Sequence, residues 1–99
     1  MQFHVAITIH DALVLDQDRR LRQVLGPQIG KVLASGKVQG GSFLAGVRGG
    51  FFLLEVDSPD ELYTLLGPEI YSTCRVEAHP TIPFERGAAI FQQWEAEGR

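Results

Sequence analysis

The chain has 99 residues, 44% of them hydrophobic and 21% charged, which is the size and composition of one globular domain. Nine Lys and Arg against twelve Asp and Glu give a net charge of −3, so the basic surface that nucleic acid or an anionic membrane requires is not expected. Its one cysteine, Cys74, excludes an internal disulfide and a thiolate metal cage. We expect a cytoplasmic protein, because no secretory signal pattern or long apolar run is present.

The first third of the chain predicts a strand and then a helix. Gln2–His10 alternates apolar and polar residues, which is typical of a strand. Apolar residues then recur at helical spacing on one stripe: Leu21, Val24, Leu25, Ile29, Val32 and Leu33. Gly26-Pro27 interrupts this stripe, so we expect a kink or two abutting helices there, with an end at Ser35-Gly36. The segment before it, Asp11–Leu15, is predicted as a connector.

The central stretch Gly49–Leu66 is the most informative part of the sequence. Val38–Val47, before it, predicts a strand with interior glycines, which often mark a bulge or a close approach. The next strand has apolar residues on both faces. Phe51 and Leu53 share one face with Glu55, and the other face carries Phe52, Leu54 and Val56. Both faces of such a strand need to be covered.

A helix start follows this strand directly. Ser58 supplies the N-cap hydroxyl, Pro59 takes the first helical position, and Glu61 lies three residues after the cap. Leu62, Leu65 and Leu66 form the apolar stripe, and Gly67-Pro68 is predicted to end the helix.

The last third predicts one more strand and a tail helix. Cys74–Thr81 alternates, with Cys74 on the helix side as a small buried hydrophobic residue rather than a nucleophile. Phe84–Glu97 has helical spacing, and its apolar stripe is Phe84, Ala88, Phe91 and Trp94. This stripe is interpreted as a packing face, expected to lie between subunits.

These elements predict one α+β domain over residues 1–99, with the ferredoxin-like order βαββαβ and a tail helix over residues 84–99. The predicted sheet is antiparallel with strand order 4-1-3-2. Right-handed crossovers would place the first and third strands in the middle, where we expect these two to run parallel. Both long helices then cover one face of the sheet. Phe51 and Leu53 remain on the other face, and we expect two copies to pack these faces together as a homodimer.

The same face collects the polar candidates for a small-molecule site. The expected register sets His4 opposite His79, Ala6 opposite Glu77, and Thr8 opposite Arg75. Glu55 is expected to come close to Thr8 and His10. A carboxylate beside apolar residues in such a pocket can carry a proton.

Other interpretations of these residues remain open. Arg75 and Glu77 can be solvated charges on an edge strand that discourage aggregation. His4 and His79 can form a cross-strand pair in an interface. His4, His79 and Glu77 have no local metal-ligand motif, so no metal site is predicted.

Three segments resemble the muconolactone isomerase-like group of small ferredoxin-like proteins: FHVAITI at Phe3–Ile9, FFLLEVDSPDELYTLL at Phe51–Leu66, and RVEAHPTIP at Arg75–Pro83. The resemblance implies a dimeric α+β barrel, capable of assembling into a larger ring, with a pocket between sheet and helices. It also implies isomerisation of an unsaturated lactone by proton transfer, with no metal or organic cofactor. It assigns no role to an individual residue.

The first functional hypothesis is a cofactor-free isomerase that acts on a small carboxylate or lactone. Glu55 or Glu77 would carry the proton with His4 or His79 as its partner. Arg75 would anchor a substrate carboxylate, and the other predicted contacts are Thr8, His10, Phe51 and Leu53. The alternatives are a cofactor-independent monooxygenase of the antibiotic-biosynthesis type and a non-catalytic ligand-binding or oligomerisation module.

Overall fold

The computed structural model describes residues 1–10 and 15–99, with the backbone alone for residues 15–18. Four strands and three helices follow one another: β1 Gln2–Ile9, α1 Leu15–Ala34, β2 Val38–Leu44, β3 Gly49–Glu55, α2 Pro59–Thr73, β4 Cys74–Pro80 and α3 Phe84–Ala96. Each predicted strand and helix is present, although several begin or end at other residues. The connector predicted at Asp11–Leu15 falls, except for Leu15, outside the described residues.

The strands form one sheet in the order β2-β3-β1-β4, and every neighbouring pair is antiparallel. The expectation that the first and third strands run parallel is therefore wrong. The crossover through α1 makes β1 parallel to β2, and the hairpin from β2 to β3 then reverses the chain once more. The domain is thus α+β with an antiparallel sheet, and it is compatible with a ferredoxin-like fold.

Strand alternation places the core on one face of the sheet, as predicted. Phe3, Val5 and Ile7 of β1 are buried there with Phe52 and Leu54 of β3, which immediately precedes buried Val56. The two long helices contribute the other half of the core: Leu25 and Val32 from α1, and Leu62, Leu66 and Ile70 from α2. Each such aliphatic or aromatic side chain contributes about 1.5–3 kcal/mol by leaving water.

The start of α2 is as predicted. The Ser58 hydroxyl accepts a hydrogen bond from the N–H of Glu61 at 3.1 Å, and Pro59 occupies the first turn. The Glu61 carboxylate accepts the N–H of Asp57 at 2.7 Å and binds the Lys37 ammonium at 3.1 Å. The entry into α2 is therefore held from both the cap and the neighbouring loop.

The helical run from Pro59 is interrupted at Gly67-Pro68, as predicted, but a second helical segment that was not predicted follows the kink and continues α2 to Thr73. Gly67 adopts a φ of 75°, which only glycine reaches without strain, and the second segment buries Ile70 completely. The side-chain amide of buried Gln28 donates hydrogen bonds to the carbonyls of Leu65 at 3.1 Å and Leu66 at 2.9 Å. A residue of α1 thus binds two carbonyls of the last turn before the kink, and the last turn of a helix is where carbonyls commonly need partners from outside the helix.

Of the two alternatives expected at Gly26-Pro27, a kink or two abutting helices, the second is not found, since α1 is one helix with Pro27 in its interior. A proline there costs about 3 kcal/mol. Burial of Leu25 before it and Val32 after it offsets this cost. The apolar stripe is narrower than predicted, because Leu33, which belongs to it, is 56% exposed.

The glycines of the β2–β3 hairpin mark both a bulge and a close approach. The register shifts between Val38 and Gly40. A Cβ atom on Gly41 would lie 2.3 Å from the Phe51 carbonyl oxygen, and one on Gly50 would lie 2.5 Å from the Ser42 carbonyl oxygen. Glycine is therefore required at these two positions.

The tail helix α3 projects from the rest of the molecule. None of its residues is buried in the described structure, and the molecule measures 59 × 26 × 20 Å. The radius of gyration is 16.8 Å. A compact chain of this length would have about 13 Å. The elongation shows that α3 is not folded back on the sheet.

Candidate functional site

The face of the sheet opposite α1 and α2, called the open face below, carries the predicted polar residues. Phe51 and Leu53 of β3 and His4 of β1 are only half-buried there. The His4 ring stacks on the Phe51 ring with centroids 5.3 Å apart and planes inclined by 21°. This ring pair and Leu53 form an apolar strip along β1 and β3.

His4 lies at the centre of the predicted proton-transfer residues. The register sets His79 of β4 opposite His4, as predicted, with Leu53 opposite His4 on the other side. Glu55 lies two residues after Leu53 on β3, and Glu77 lies two residues before His79 on β4. Both are therefore diagonal neighbours of His4 on the same face. The alternation of three strands therefore collects two imidazoles and two carboxylates in one patch.

Glu55 does not lie where the sequence placed it relative to Thr8 and His10. It is opposite Gln2, at the other end of β1. Gln2 and Thr8 are six residues apart on β1, which corresponds to roughly 20 Å along the strand. The error follows from the assumed parallel direction, because an antiparallel β3 brings its last residue to the start of β1.

The environment of Glu55 also differs from the predicted apolar pocket. Its side chain is 48% exposed, and its carboxylate binds the amino group of Met1 at 2.5 Å. The apolar neighbours of β3 therefore do not remove it from water in one copy of the chain.

Arg75 and Glu77 form an ion pair of 2.7 Å on β4. Both side chains are largely accessible, 74% and 49%, so the pair contributes little to stability. Thr8 lies opposite Arg75, as predicted, and His10 follows the end of β1, where its N–H donates to the Thr73 carbonyl at 3.1 Å. The predicted binding residues Arg75, Thr8 and His10 thus lie together at one end of the sheet, away from Glu55.

A separate cavity of about 490 Å³ lies on the helix side of the sheet, at its β2 edge. Its walls are mostly apolar side chains and glycine backbone, contributed by α1 and by the β2–β3 hairpin: Ile7, Ile29, Leu33, Val38–Phe43 and Gly50–Phe52. Phe51 is the one predicted site residue among them. Of the side chains that the structure describes, none that lines this cavity is acidic, basic or histidine. It can hold an apolar group but carries no acid or base for proton transfer.

Sequence reasoning did not locate this cavity. The interior glycines of β2 were a signal, since they mark a position of close approach, and Gly40 and Gly41 do line the cavity. The accessible stripe residues Leu33 and Ile29 gave no signal, because helical spacing alone assigns them to the core.

Cys74 is buried, as predicted, on the helix side of β4. Burial raises the pKa of its thiol, and a contact with the Thr73 hydroxyl at 3.5 Å only partly opposes this. The neutral thiol is a poor nucleophile. Cys74 therefore acts as a core residue.

Within the described residues, no group of three or more His, Cys, Asp or Glu side chains is arranged to hold a metal ion. Among those same residues, no helix combines the length and apolar character needed to cross a membrane. Comparison of the sequence with protein-family models and with curated proteins finds no match. The resemblance to the muconolactone isomerase-like group accordingly stays a prediction.

Proposed function

We propose that this protein is a cofactor-free isomerase with a ferredoxin-like fold, which works as a homodimeric α+β barrel. Its substrate would be a small carboxylate or lactone. One observation carries the proposal: His4 on the open face has His79, Glu55 and Glu77 at neighbouring register positions, next to the half-buried Phe51. Imidazole and carboxylate groups are the side chains that most often transfer protons in enzymes.

The spacing along β4 suits a substrate with two ends. Arg75 and Glu77 are two residues apart on one face, which corresponds to about 7 Å. A guanidinium that binds a substrate carboxylate would place the substrate carbon next to the carboxylate of Glu77. Glu77 would take a proton from the γ carbon of the unsaturated lactone, next to the ring oxygen, and a protonated His4 or His79 would give a proton to the α carbon beside the carbonyl, so that the double bond moves one position along the ring.

A second copy would complete the site. The apolar strip of Phe51 and Leu53 is only half-covered in one chain, and an antiparallel sheet commonly buries one face against another layer. A partner sheet on this strip would exclude water from the polar patch beside it, and proton transfer in such a space avoids the competing exchange with solvent.

The dimer can be tested separately from the chemistry. We expect a dimer by light scattering at micromolar concentration, and Leu53→Glu should convert it to monomer by burying an unpaired charge in the interface. Tyr63→Glu, which changes an exposed residue on α2, is the matched control and should leave the dimer intact. A wild-type monomer under these conditions would remove the support for a shared site.

The catalytic test uses muconolactone, an unsaturated lactone that carries a carboxylate, and follows both its isomerisation and deuterium uptake from heavy water. Replacement of Glu55 and Glu77 together by Gln keeps the size of both side chains and removes the base. We expect a loss of about 10²-fold or more in rate. Glu69→Gln on α2 is the control. An unchanged rate in the double variant would reject the assignment.

A non-catalytic binding or oligomerisation module is the second candidate. The exposed and mutually paired Arg75 and Glu77 favour it, because such pairs are common on plain surfaces. It predicts a folded dimer that neither isomerises the lactone nor exchanges its protons. Oxygen consumption with a quinol substrate would instead indicate the monooxygenase alternative.

A further inference from the structure

The tail helix α3 presents an apolar stripe that is left exposed by the described residues of this chain. Phe84, Phe91 and Trp94 are 96%, 65% and 42% exposed. The rings of Phe91 and Trp94 pack on each other with centroids 5.6 Å apart, so they form one continuous aromatic surface on the helix. Aromatic side chains present on the order of 150–250 Å² each, so these three still offer roughly 400 Å² to a partner.

The chain also contains an apolar concavity of matching character. The cavity at the β2 edge, called the α1–β2 groove from here on, is lined by Ile29 and Leu33 of α1, Val38 and Phe43 of β2, and Phe52 of β3. Phe43 and Leu33 are 76% and 56% exposed, so the groove is open at the surface.

The chain's own α3 lies at the opposite edge of the sheet from this groove. The order β2-β3-β1-β4 puts three strand spacings, about 14 Å, between β4 and the β2 edge. The linker is short, and Thr81 is held to Gln2 through a backbone hydrogen bond of 2.9 Å and a side-chain hydrogen bond of 2.7 Å. This anchor fixes the point at which the tail leaves the sheet, and the 59 Å length of the molecule is consistent with α3 extending away from the body of its own subunit.

We propose that α3 of one copy occupies the α1–β2 groove of a second copy, and that the exchange is reciprocal. This inference rests on the homodimer of the proposed function and identifies the surface that receives the tail. When two open faces meet about a twofold axis, the β4 edge of one copy can lie over the β2 edge of the other. A helix of 13 residues extends about 20 Å, which exceeds the roughly 10 Å thickness of one layer that it must pass.

Area and charge both favour a second copy as the occupant. Two reciprocal contacts, counting helix and groove, would bury about 1,600 Å², which is the size of a standard stable interface. The segment 19–54, which forms most of the groove, contains six Lys and Arg and no Asp or Glu. The tail segment 84–99 contains three Glu and two Arg, so the two segments have opposite net charge, although the lining of the groove itself is uncharged.

The single tryptophan of the chain, Trp94, reports directly on this contact. We expect its emission to shift to shorter wavelength as the full-length protein is concentrated from low micromolar to submillimolar, in step with dimer formation by light scattering. Emission typical of exposed tryptophan in a sample shown to be dimeric would overturn this inference and leave the homodimer standing. A protein that stays monomeric throughout would overturn both.

Two exposed residues on α1 provide matched variants. Leu33→Glu places a charge in the groove, and Val24→Glu makes the same change at a position that is 48% exposed and does not line it. Leu33→Glu should abolish the emission shift and raise the dissociation constant about tenfold or more. Val24→Glu should change neither the emission shift nor the dissociation constant. Equal behaviour of the two variants would contradict the proposed contact.

Cross-linking separates exchange between copies from docking within one chain. Leu33→Cys protein is mixed with Phe91→Cys protein and oxidised, and we expect a disulfide-linked dimer that contains one chain of each kind. Val24→Cys with Phe91→Cys is the control and should give little of it. A double variant, Leu33→Cys with Phe91→Cys, that forms its disulfide within a monomer would overturn the exchange.

Discussion

Gln28 shows how one buried polar residue supports the kink in α2. Its amide nitrogen donates hydrogen bonds to the carbonyls of both Leu65 and Leu66, and the residue is 8% exposed. Gln28→Leu keeps most of the volume but leaves these carbonyls without a donor. We expect a loss of about 1–3 kcal/mol in the free energy of unfolding, measured by urea denaturation. Gln23→Leu, at an exposed position of the same helix, should change stability little.

Gly67 is the other half of this arrangement. Its φ of 75° disfavours any other residue, and an added Cβ would lie 2.8 Å from the Gln28 amide nitrogen. Gly67→Ala should therefore destabilise the protein by about 1–2 kcal/mol from the backbone strain alone. Gly30→Ala on α1 is the control, because nothing lies within 4 Å of its added Cβ. That variant should stabilise the protein by about 0.5–1 kcal/mol, so melting temperatures that move in the same direction would contradict this account.

Among the elements, α2 depends most on its N-terminal cap. Ser58→Ala removes the acceptor for the Glu61 N–H, and we expect a loss of about 1 kcal/mol in the free energy of unfolding. Ser72→Ala, at an exposed position near the end of the same helix, tests whether loss of any serine hydroxyl has this effect. Of these two variants, only Ser58→Ala should lower the melting temperature.

The start of α2 should also make stability depend on pH. The N–H of Asp57 and the Lys37 ammonium hold the pKa of Glu61 below its ordinary value, and Glu61 in turn raises the pKa of Lys37. The contribution of Glu61 is complete above the ordinary carboxyl value of about 4.3 and is lost as pH falls through the lower value of the folded state. That of Lys37 is complete below about 10.4 and is lost as pH rises through the higher value.

Glu61→Gln should accordingly melt at a lower temperature than the wild type at neutral pH. The difference between the two proteins should narrow in acid, where the wild-type carboxylate is also neutral. Since both side chains of the pair are partly exposed to solvent, the effect should be small and should decrease with added salt. Melting curves from neutral pH to about pH 3, below the ordinary carboxyl value, test this directly.

Local chemistry predicted the elements better than it predicted how they are combined. The alternation of Phe3 to Ile7 and the Ser58 cap follow from short-range patterns, and both are present. The facing of His4 and His79 was predicted from the antiparallel direction of the first and last strands, and it is also present. The direction of β3 relative to β1 depends on the whole chain path, and the error in it displaced Glu55 along the sheet.

The continuation of α2 past Gly67 could not be predicted for a related reason. Gly-Pro is a common end of a helix. Here the helix resumes because Gln28, far away in sequence, binds the carbonyls at the kink. The α1–β2 groove is likewise a product of packing, since Leu33 lines it while 56% exposed and Ile29 lines it while only partly buried.

At the scale of the whole molecule, the projecting α3 leads to an unusual prediction for small-angle X-ray scattering. The extended single chain has a radius of gyration of 16.8 Å. A compact dimer of 198 residues, with both tails docked, should have about 16 Å. We therefore expect the molecular mass from forward scattering to double with concentration while the radius of gyration stays almost constant. A dimer with free tails would instead become clearly larger, because both helices would extend from a body of twice the mass. The Leu33→Glu variant distinguishes these cases, since the loss of tail docking should give either a monomer of unchanged radius or a dimer of increased radius. A wild-type dimer whose radius of gyration increases as much as that of this variant would contradict tail exchange.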